Sequence, residues 1–171
     1  ILGIAGLIGA GRSEIVKGIC GLHPKNSGVF KLHGSDVEIQ TYQDSIAQGI
    51  VYLSEDRKGE GVFLDMPIAA NISALELNLV ANSIGLINSE DETALASDLG
   101  QRLNLKCGQF SDPVSSLSGG NQQKVALAKL LSVNPRLIFL DEPTRGVDVG
   151  AKSEIHKILR YLARSGVGIV I

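Results

Sequence analysis

The order of apolar and polar positions divides the chain into short elements. The run 1–5 is apolar and leads straight into Gly6-Leu7-Ile8-Gly9-Ala10-Gly11-Arg12-Ser13, which predicts a buried strand followed by a glycine-rich turn. Residues 14–20 carry Ile15, Val16 and Ile19 at helical spacing, so the order is strand, glycine loop, helix. Two brief strand-like runs, 29–32 and 37–39, flank His33-Gly34-Ser35-Asp36 and predict a hairpin. A short helix is expected over 45–48, ended by Gly49. Ile50-Val51-Tyr52-Leu53 then predicts a second buried strand before the charged loop 55–61. From 68 to 105 the pattern is mostly helical, with a break near 82–88.

The last third is the most regular. Ser118-Gly119-Gly120 precedes Val125, Leu127, Ala128, Leu130 and Leu131, so a helix is predicted to start there. Leu137-Ile138-Phe139-Leu140 reads as a buried strand delivering Asp141-Glu142 at its carboxyl end, where Pro143 stops it. Ile155, Ile158, Leu159 and Leu162 mark one face of an amphipathic helix, and 167–171 begins another strand. Apolar strands alternating with helices imply an α/β fold with a largely parallel, buried sheet and the hairpin as an antiparallel addition.

Composition narrows this only at the margins. With 171 residues, 44% of them apolar and 20% charged, the chain is sized for one domain with a real core, which excludes disordered and collagen-like classes. No segment approaches the ~18 consecutive apolar residues of a membrane span. Cys20 and Cys107 lie far apart and form no disulfide framework, which suits a reducing cytosol. The formal charge of −2 gives no reason to expect nucleic acid as a partner. His23, His33 and His156 are scattered with no second ligand at metal spacing, and Tyr42, Tyr52 and Tyr161 are not arranged to stack bases. The chain opens without Met inside one apolar run and stops inside another, so both ends are expected to be cuts in a longer polypeptide.

Three motifs carry chemistry. The stretch from Gly6 to Ser13 has the spacing of a phosphate-binding loop except that Arg12 stands where lysine is usual. Glycines let backbone N–H groups converge on phosphate at a helix N-terminus, and Ser13 would ligate Mg²⁺; the alternative is a plain strand-to-helix turn. Arginine keeps the charge but replaces a compact ammonium with a planar fork. The strand ending in Asp141-Glu142-Pro143 follows a Walker B pattern, with Asp141 for the metal and Glu142 to orient or deprotonate water; a solvated acidic turn is the alternative. Leu117-Ser118-Gly119-Gly120-Asn121-Gln122-Gln123 reads as a second helix N-terminus able to take an anion, or simply as a serine-capped glycine loop.

Leu117-Ser118-Gly119-Gly120 resembles the signature motif of the ABC ATPases, and its distance from Asp141 is that family's. Thr144-Arg145-Gly146-Val147-Asp148 falls at the position of the family's D-loop. With Ser54-Glu55-Asp56-Arg57-Lys58 and the stretch from Asp141 to Lys152, these motifs resemble the second nucleotide-binding domain of the tandem ATP-binding subunits of ribose/galactose/xylose-type sugar importers. The resemblance covers nearly the whole chain, with Arg12 and Glu55 as departures from the general pattern, Glu55 standing for the Q-loop glutamine.

It implies a P-loop NTPase core with a helical subdomain over roughly 62–133, residues 1–171 being a partial nucleotide-binding domain truncated at both ends. ATP and Mg²⁺ are then the expected ligands. Gly6, Gly9, Ala10, Gly11, Arg12, Ser13 and Glu14 would hold nucleotide on this domain. Ser118, Gly119 and Gly120 would reach the nucleotide of a partner domain bound head to tail, and Gln122 and Asp148 are also expected to contact nucleotide. Ser13, Glu55 and Asp141 would attend the metal, and Glu142 would be catalytic. The implied partners are the other nucleotide-binding domain, transmembrane permease subunits and, indirectly, a periplasmic sugar-binding protein, at the cytoplasmic face of the membrane. Two other readings remain: a non-hydrolytic ATP-dependent dimerisation module, and an ABC ATPase outside transport, which lacks support because neither a long coiled coil nor a basic linker interrupts the chain.

Overall fold

In the computed structural model, residues 1–7, 9–24, 27–32 and 34–171 are described; Ile8 of the glycine loop and His33 of the hairpin turn lie outside them. The glycine loop leads into α1 (Arg12–Ile19), followed by the hairpin strands β1 (Lys31–Leu32) and β2 (Ser35–Asp36). Next come α2 (Tyr42–Ala47) and β3 (Ile50–Leu53), then α3 (Ile68–Ser73) and α4 (Ser89–Arg102). The last four elements are α5 (Gly119–Leu131), β4 (Leu137–Leu140), α6 (Val149–Arg164) and β5 (Gly168–Val170).

The central sheet is parallel in the order β3-β4-β5, with Ile50 opposite Leu137, Leu53 opposite Leu140 and Phe139 opposite Val170. All four residues of β3 are buried, as an unbroken apolar run requires of a strand covered on both faces. The run 1–5 extends the same sheet beyond β5: Leu2 bridges Val170 in parallel, and the N–H groups of Leu2 and Ile4 reach the carbonyls of Ile169 and Ile171 at 2.8 and 2.6 Å. Its expected burial is not observed. Leu2 is 62% exposed, because the run is the outermost strand and the described residues do not cover it.

The opposite edge, β3, is closed by side chains of α2. The Tyr42 hydroxyl accepts from the Tyr52 N–H at 3.2 Å and lies 3.5 Å from the Tyr52 carbonyl, while the Ser45 hydroxyl donates to the Ile50 carbonyl at 2.9 Å. These bonds occupy the groups an edge strand would otherwise leave open. The helix begins at Tyr42 rather than 45 because Thr41 and Asp44 form a reciprocal capping box. The Thr41 N–H donates to the Asp44 carboxylate and holds its pKa below the ordinary value. The hairpin is narrower than the hydrophobic pattern predicts, pairing Lys31 with Asp36 and Leu32 with Ser35, with Val37 reaching the Phe30 carbonyl at 2.9 Å.

Between β3 and β4 the chain is helical. The charged loop contains a π-helical turn, Arg57–Gly61, and 3₁₀ turns lie at Leu77–Leu79 and Val114–Ser116. Buried Asn71 ties down the approach to α3: its side-chain oxygen accepts from the Phe63 N–H at 2.7 Å and its amide donates to the Phe63 and Pro67 carbonyls at 2.9 and 3.1 Å. α5 runs through the centre of the main core with Ile68, Ile72, Leu99, Leu103, Ile138 and Ile155. It is buried along nearly its whole length, beyond the apolar positions Val125, Leu127, Ala128, Leu130 and Leu131, so two lysines are interior. Lys124 Nζ is 2.6 Å from both the Asn104 carbonyl and Glu154, and Lys129 bonds the Gly61 carbonyl beside the Phe63 ring. Each buried cation thus has a partner, as burial demands.

The first turns of α5 and α6 touch so closely that a Cβ on Gly120 would lie 2.5 Å from the Ala151 Cβ. Gly120→Ala is therefore expected to lower stability by ~1–3 kcal/mol through overpacking, despite alanine's better helix propensity. Ala151→Gly in the same chain should recover much of that loss. Urea denaturation of the two variants checks both; a stable Gly120→Ala would mean the helices can separate without cost.

Candidate functional site

Two groups of sequence-predicted residues assemble, and they are separate. The first lies where the glycine loop meets the carboxyl ends of β3, β4 and β5. Gly9 and Gly11 have φ of 80° and 83°, a left-handed conformation that glycine adopts without steric cost, and this turns the loop into α1. No side chain caps α1, whose N-terminus offers backbone donors and the positive end of the helix dipole. Gly6 and Ala10 lie on the loop's exposed surface, and the stem of Arg12 passes Gly6, with its Cδ 3.5 Å from where a Cβ would stand. Glu14 is exposed in the first turn of α1.

The Ser13 hydroxyl donates to Asp141 Oδ2, joining residues 128 positions apart in the chain. Arg12, Ser13, Tyr52, Phe139, Asp141 and Glu142 border a cavity of ≈ 140 Å³. An alcohol and a carboxylate brought together in this way form a hard-oxygen pair of the type Mg²⁺ takes, with water filling its remaining positions. The donor set therefore fits that ion. Glu142 is exposed and has φ of 43°. A non-glycine residue in this region carries about 1–3 kcal/mol of strain, a cost found most often at functional positions.

The second group lies at the start of α5. Ser118 is exposed at the N-cap, its hydroxyl accepting from the Asn121 amide at 3.1 Å. Ser118, Gly120 and Asp148 border an open depression of ≈ 300 Å³ together with Lys106, Asn121 and Lys124. Gly119 is packed against the Gly146 carbonyl and the Arg57 guanidinium. Asp148 caps α6, accepting from the Ala151 N–H at 2.9 Å. Gln122 points inward: it is 7% exposed and donates to the Leu117 carbonyl at 3.1 Å, so it shapes the loop from beneath. The two groups share no bordering residue.

Glu55 borders neither. It pairs with Arg145 of the turn after β4. Its neighbour Arg57 reaches the start of α5, with Nη1 3.4 Å from the buried Gln123. Lys17 on α1 meets Glu60 of the π-helical turn at 3.2 Å. A hydrogen bond from Ser54, reinforced by Lys17, holds the Glu60 carboxyl below its ordinary range. Arg57, Arg145, Lys17 and Glu60 were not singled out as site residues by the sequence. Arg57 and Glu60 belong to the concentration of charge in loop 55–61, which reads equally as a solvated loop; Arg57 and Arg145 lie within the quoted motifs, and Lys17 carried no signal.

Comparisons with known proteins identify the family and the fold. A protein-family profile described as ABC transporter matches residues 1–145. The ribose import ATP-binding protein RbsA of Ruegeria sp. (strain TM1040) is 67% identical over all 171 residues, and one from Caldanaerobacter subterraneus is 47% identical over the same length. The chain spans about a third of the length of these curated relatives, 34% in both cases. Among solved structures, a nucleotide-free ATP-binding cassette from an ABC transporter superposes with a TM-score of 0.84 at 22% identity, covering 100% of this chain and 69% of that one. A dimeric cassette in a post-hydrolysis state bound to ADP and Pi superposes with a TM-score of 0.79 at 21% identity, covering 99% of this chain and 72% of that one. At such identities these two likenesses concern the fold alone, an ABC ATPase cassette, as expected from the P-loop NTPase reading. The profile match over most of the chain, on a fold that holds glycine loop, signature helix and Asp141-Glu142 in the expected order, makes this chain a member of the ABC transporter family.

Proposed function

We propose that this chain is a nucleotide-binding region of a sugar importer's ATP-binding subunit. It holds ATP at its arginine-bearing glycine loop and lends its signature loop to a partner domain's ATP. The observation that carries this reading is the separation of the two groups within one chain: each is half of a site, so both are completed only by a second nucleotide-binding domain bound head to tail. The names of the relatives, ribose import ATP-binding proteins, support a sugar as the cargo. Arg12 and Glu55 favour the second domain of a tandem subunit, with residues 1–171 as part of that domain and about 62–133 as its helical subdomain.

The backbone from Gly6 to Glu14 and the Arg12 guanidinium would cradle the phosphates. Ser13 and Asp141 would hold Mg²⁺, which when bound offsets the charge of the transferring phosphoryl group. Glu142 would orient or deprotonate the attacking water. Ser118, Gly119 and Gly120 would aim the N-terminus of α5 at the partner's nucleotide, with Gln122 and Asp148 shaping that loop. Glu55, held by Arg145 here, would attend the metal only after leaving that pair. Permease subunits, and through them a periplasmic sugar-binding protein, complete the assembly, and no role for nucleic acid is included. Among the described residues no helix is long and apolar enough to cross a membrane. Membrane association is accordingly assigned to the permease contact, at the cytoplasmic face.

The two halves are expected to differ in weight, because the signature loop is unaltered while the glycine loop carries Arg12. In single-turnover ATP hydrolysis by the full-length subunit, Ser118→Arg should remove most of the turnover and Arg12→Ala much less. The reverse order would refute the asymmetry. Where only this glycine loop can bind ATP, Glu142→Gln should lower the residual rate by roughly 10²- to 10⁴-fold, the usual contribution of a general base. An unchanged rate would remove Glu142 from that role, whereas ATP binding with no measurable turnover at this site would favour a module that binds without hydrolysing.

A further inference from the structure

Asp141 is approached from a second strand as well as from α1. The Tyr52 hydroxyl lies 3.4 Å from Asp141 Oδ2, the same oxygen to which Ser13 donates. We propose that Tyr52 is a positioning residue that fixes the Asp141 carboxylate for Mg²⁺; this rests on the reading of Ser13 and Asp141 as the metal's residues. Tyr52 is only 8% exposed, and its ring is packed with Cys20, Ile39 and Phe139, which limits its rotamers. Its backbone is fixed as well. The N–H and carbonyl of Tyr52 both face the Tyr42 hydroxyl, and the next carbonyl, Leu53, accepts the Asp141 N–H at 2.8 Å. Phenol and carboxylate therefore sit on adjacent strands in locked register.

The consequence is chemical. An aspartate at a strand tip has two free side-chain torsions, and a carboxylate that turns away from a cation weakens binding without changing the ligand set. Two hydroxyls on Oδ2 hold one orientation and leave Oδ1 without a hydrogen bond among the described residues. Outer contacts of this kind commonly matter as much for a metal as the ligands themselves. Arg12, Ser13, Asp141 and Glu142 share the cavity with Tyr52, so its hydroxyl is at the site rather than behind it.

Tyr52→Phe keeps the ring and removes the donor. In the full-length subunit, Mn²⁺ binding in the presence of ADP can be followed by electron paramagnetic resonance, with Asp141→Asn marking the share of signal that belongs to this site. Tyr52→Phe should weaken Mn²⁺ binding in that share by roughly tenfold, while ADP affinity in EDTA stays at the wild-type value. Unchanged Mn²⁺ affinity overturns the proposal, as does a parallel loss of metal-free ADP affinity. Tyr42→Phe is the structural control, expected to lower thermal stability with near-normal Mn²⁺ affinity. If it weakens Mn²⁺ binding as much as Tyr52→Phe, general loosening of β3 is the cause and the proposal falls. If the wild type shows no Asp141-dependent Mn²⁺ signal at all, the metal-site reading itself fails.

Discussion

The contact between Ser13 and Asp141 depends on a constraint that governs the whole molecule. β3, β4, β5 and the N-terminal run all point the same way, so everything that leaves their carboxyl ends emerges at one edge of the sheet. The glycine loop, the charged segment after β3 and the Asp141-Glu142 turn meet there because parallel strands leave them no other place. An antiparallel arrangement would send alternate loops to opposite edges and part Ser13 from Asp141. The chemistry is local, but the reason it can be local is topological. β4 lies between β3 and β5, which places its tip within reach of both Tyr52 and Ser13.

The two half-sites rest on very different supports. α1 has no fully buried residue, whereas α5 buries nearly its whole length, lysines included. An anion site at the end of α5 is thus mounted on a helix fixed by the core, by the Lys124–Glu154 pair and by the contact of Gly120 with α6. The glycine loop is mounted on a helix held mainly from one side, with Lys17 and Glu60 as a peripheral tie. Rigidity follows burial, since local opening is easiest where few apolar contacts must be broken. The group at the start of α5 is thus the more firmly mounted of the two. The glycine-loop group is the one with freedom to adjust.

Much of this was legible in the sequence, for identifiable reasons. Strands β3 and β4 are unbroken apolar runs with turn residues on both sides, so their position and buried character follow directly. The starts of α1 and α5 are announced by glycine and serine. The N-terminal run was misjudged for burial because an apolar segment states only that it needs a cover, not whether the described residues provide one. The depth of α5 is not legible, because Lys124 and Lys129 look like solvent positions until Asn104, Glu154 and Gly61 are seen to receive them. Tyr52 is legible as part of a buried strand and as a tyrosine unsuited to stacking; its link to Asp141 spans 89 positions and leaves no trace in local spacing. Motif residues are legible because they repeat a pattern, while the contacts that orient them are long-range and silent.

Glu55 illustrates how a departure from a pattern is absorbed. An acid near phosphate is unfavourable by simple Coulomb repulsion, and the effect grows where water is excluded. Here the charge is met by Arg145, two residues past Pro143, so segment and turn together carry no net charge from this pair. Both side chains are about half exposed, and an exposed ion pair contributes only about 0–1 kcal/mol to folding. Stability cannot therefore be what the pair provides. What it does provide is placement: it draws the segment after β3 and the turn after β4 together, beside the site where Arg57 and Gly146 both pack on Gly119. The same charged segment also carries Arg57, which reaches Gln123 at the start of α5, and Glu60, which meets Lys17 of α1.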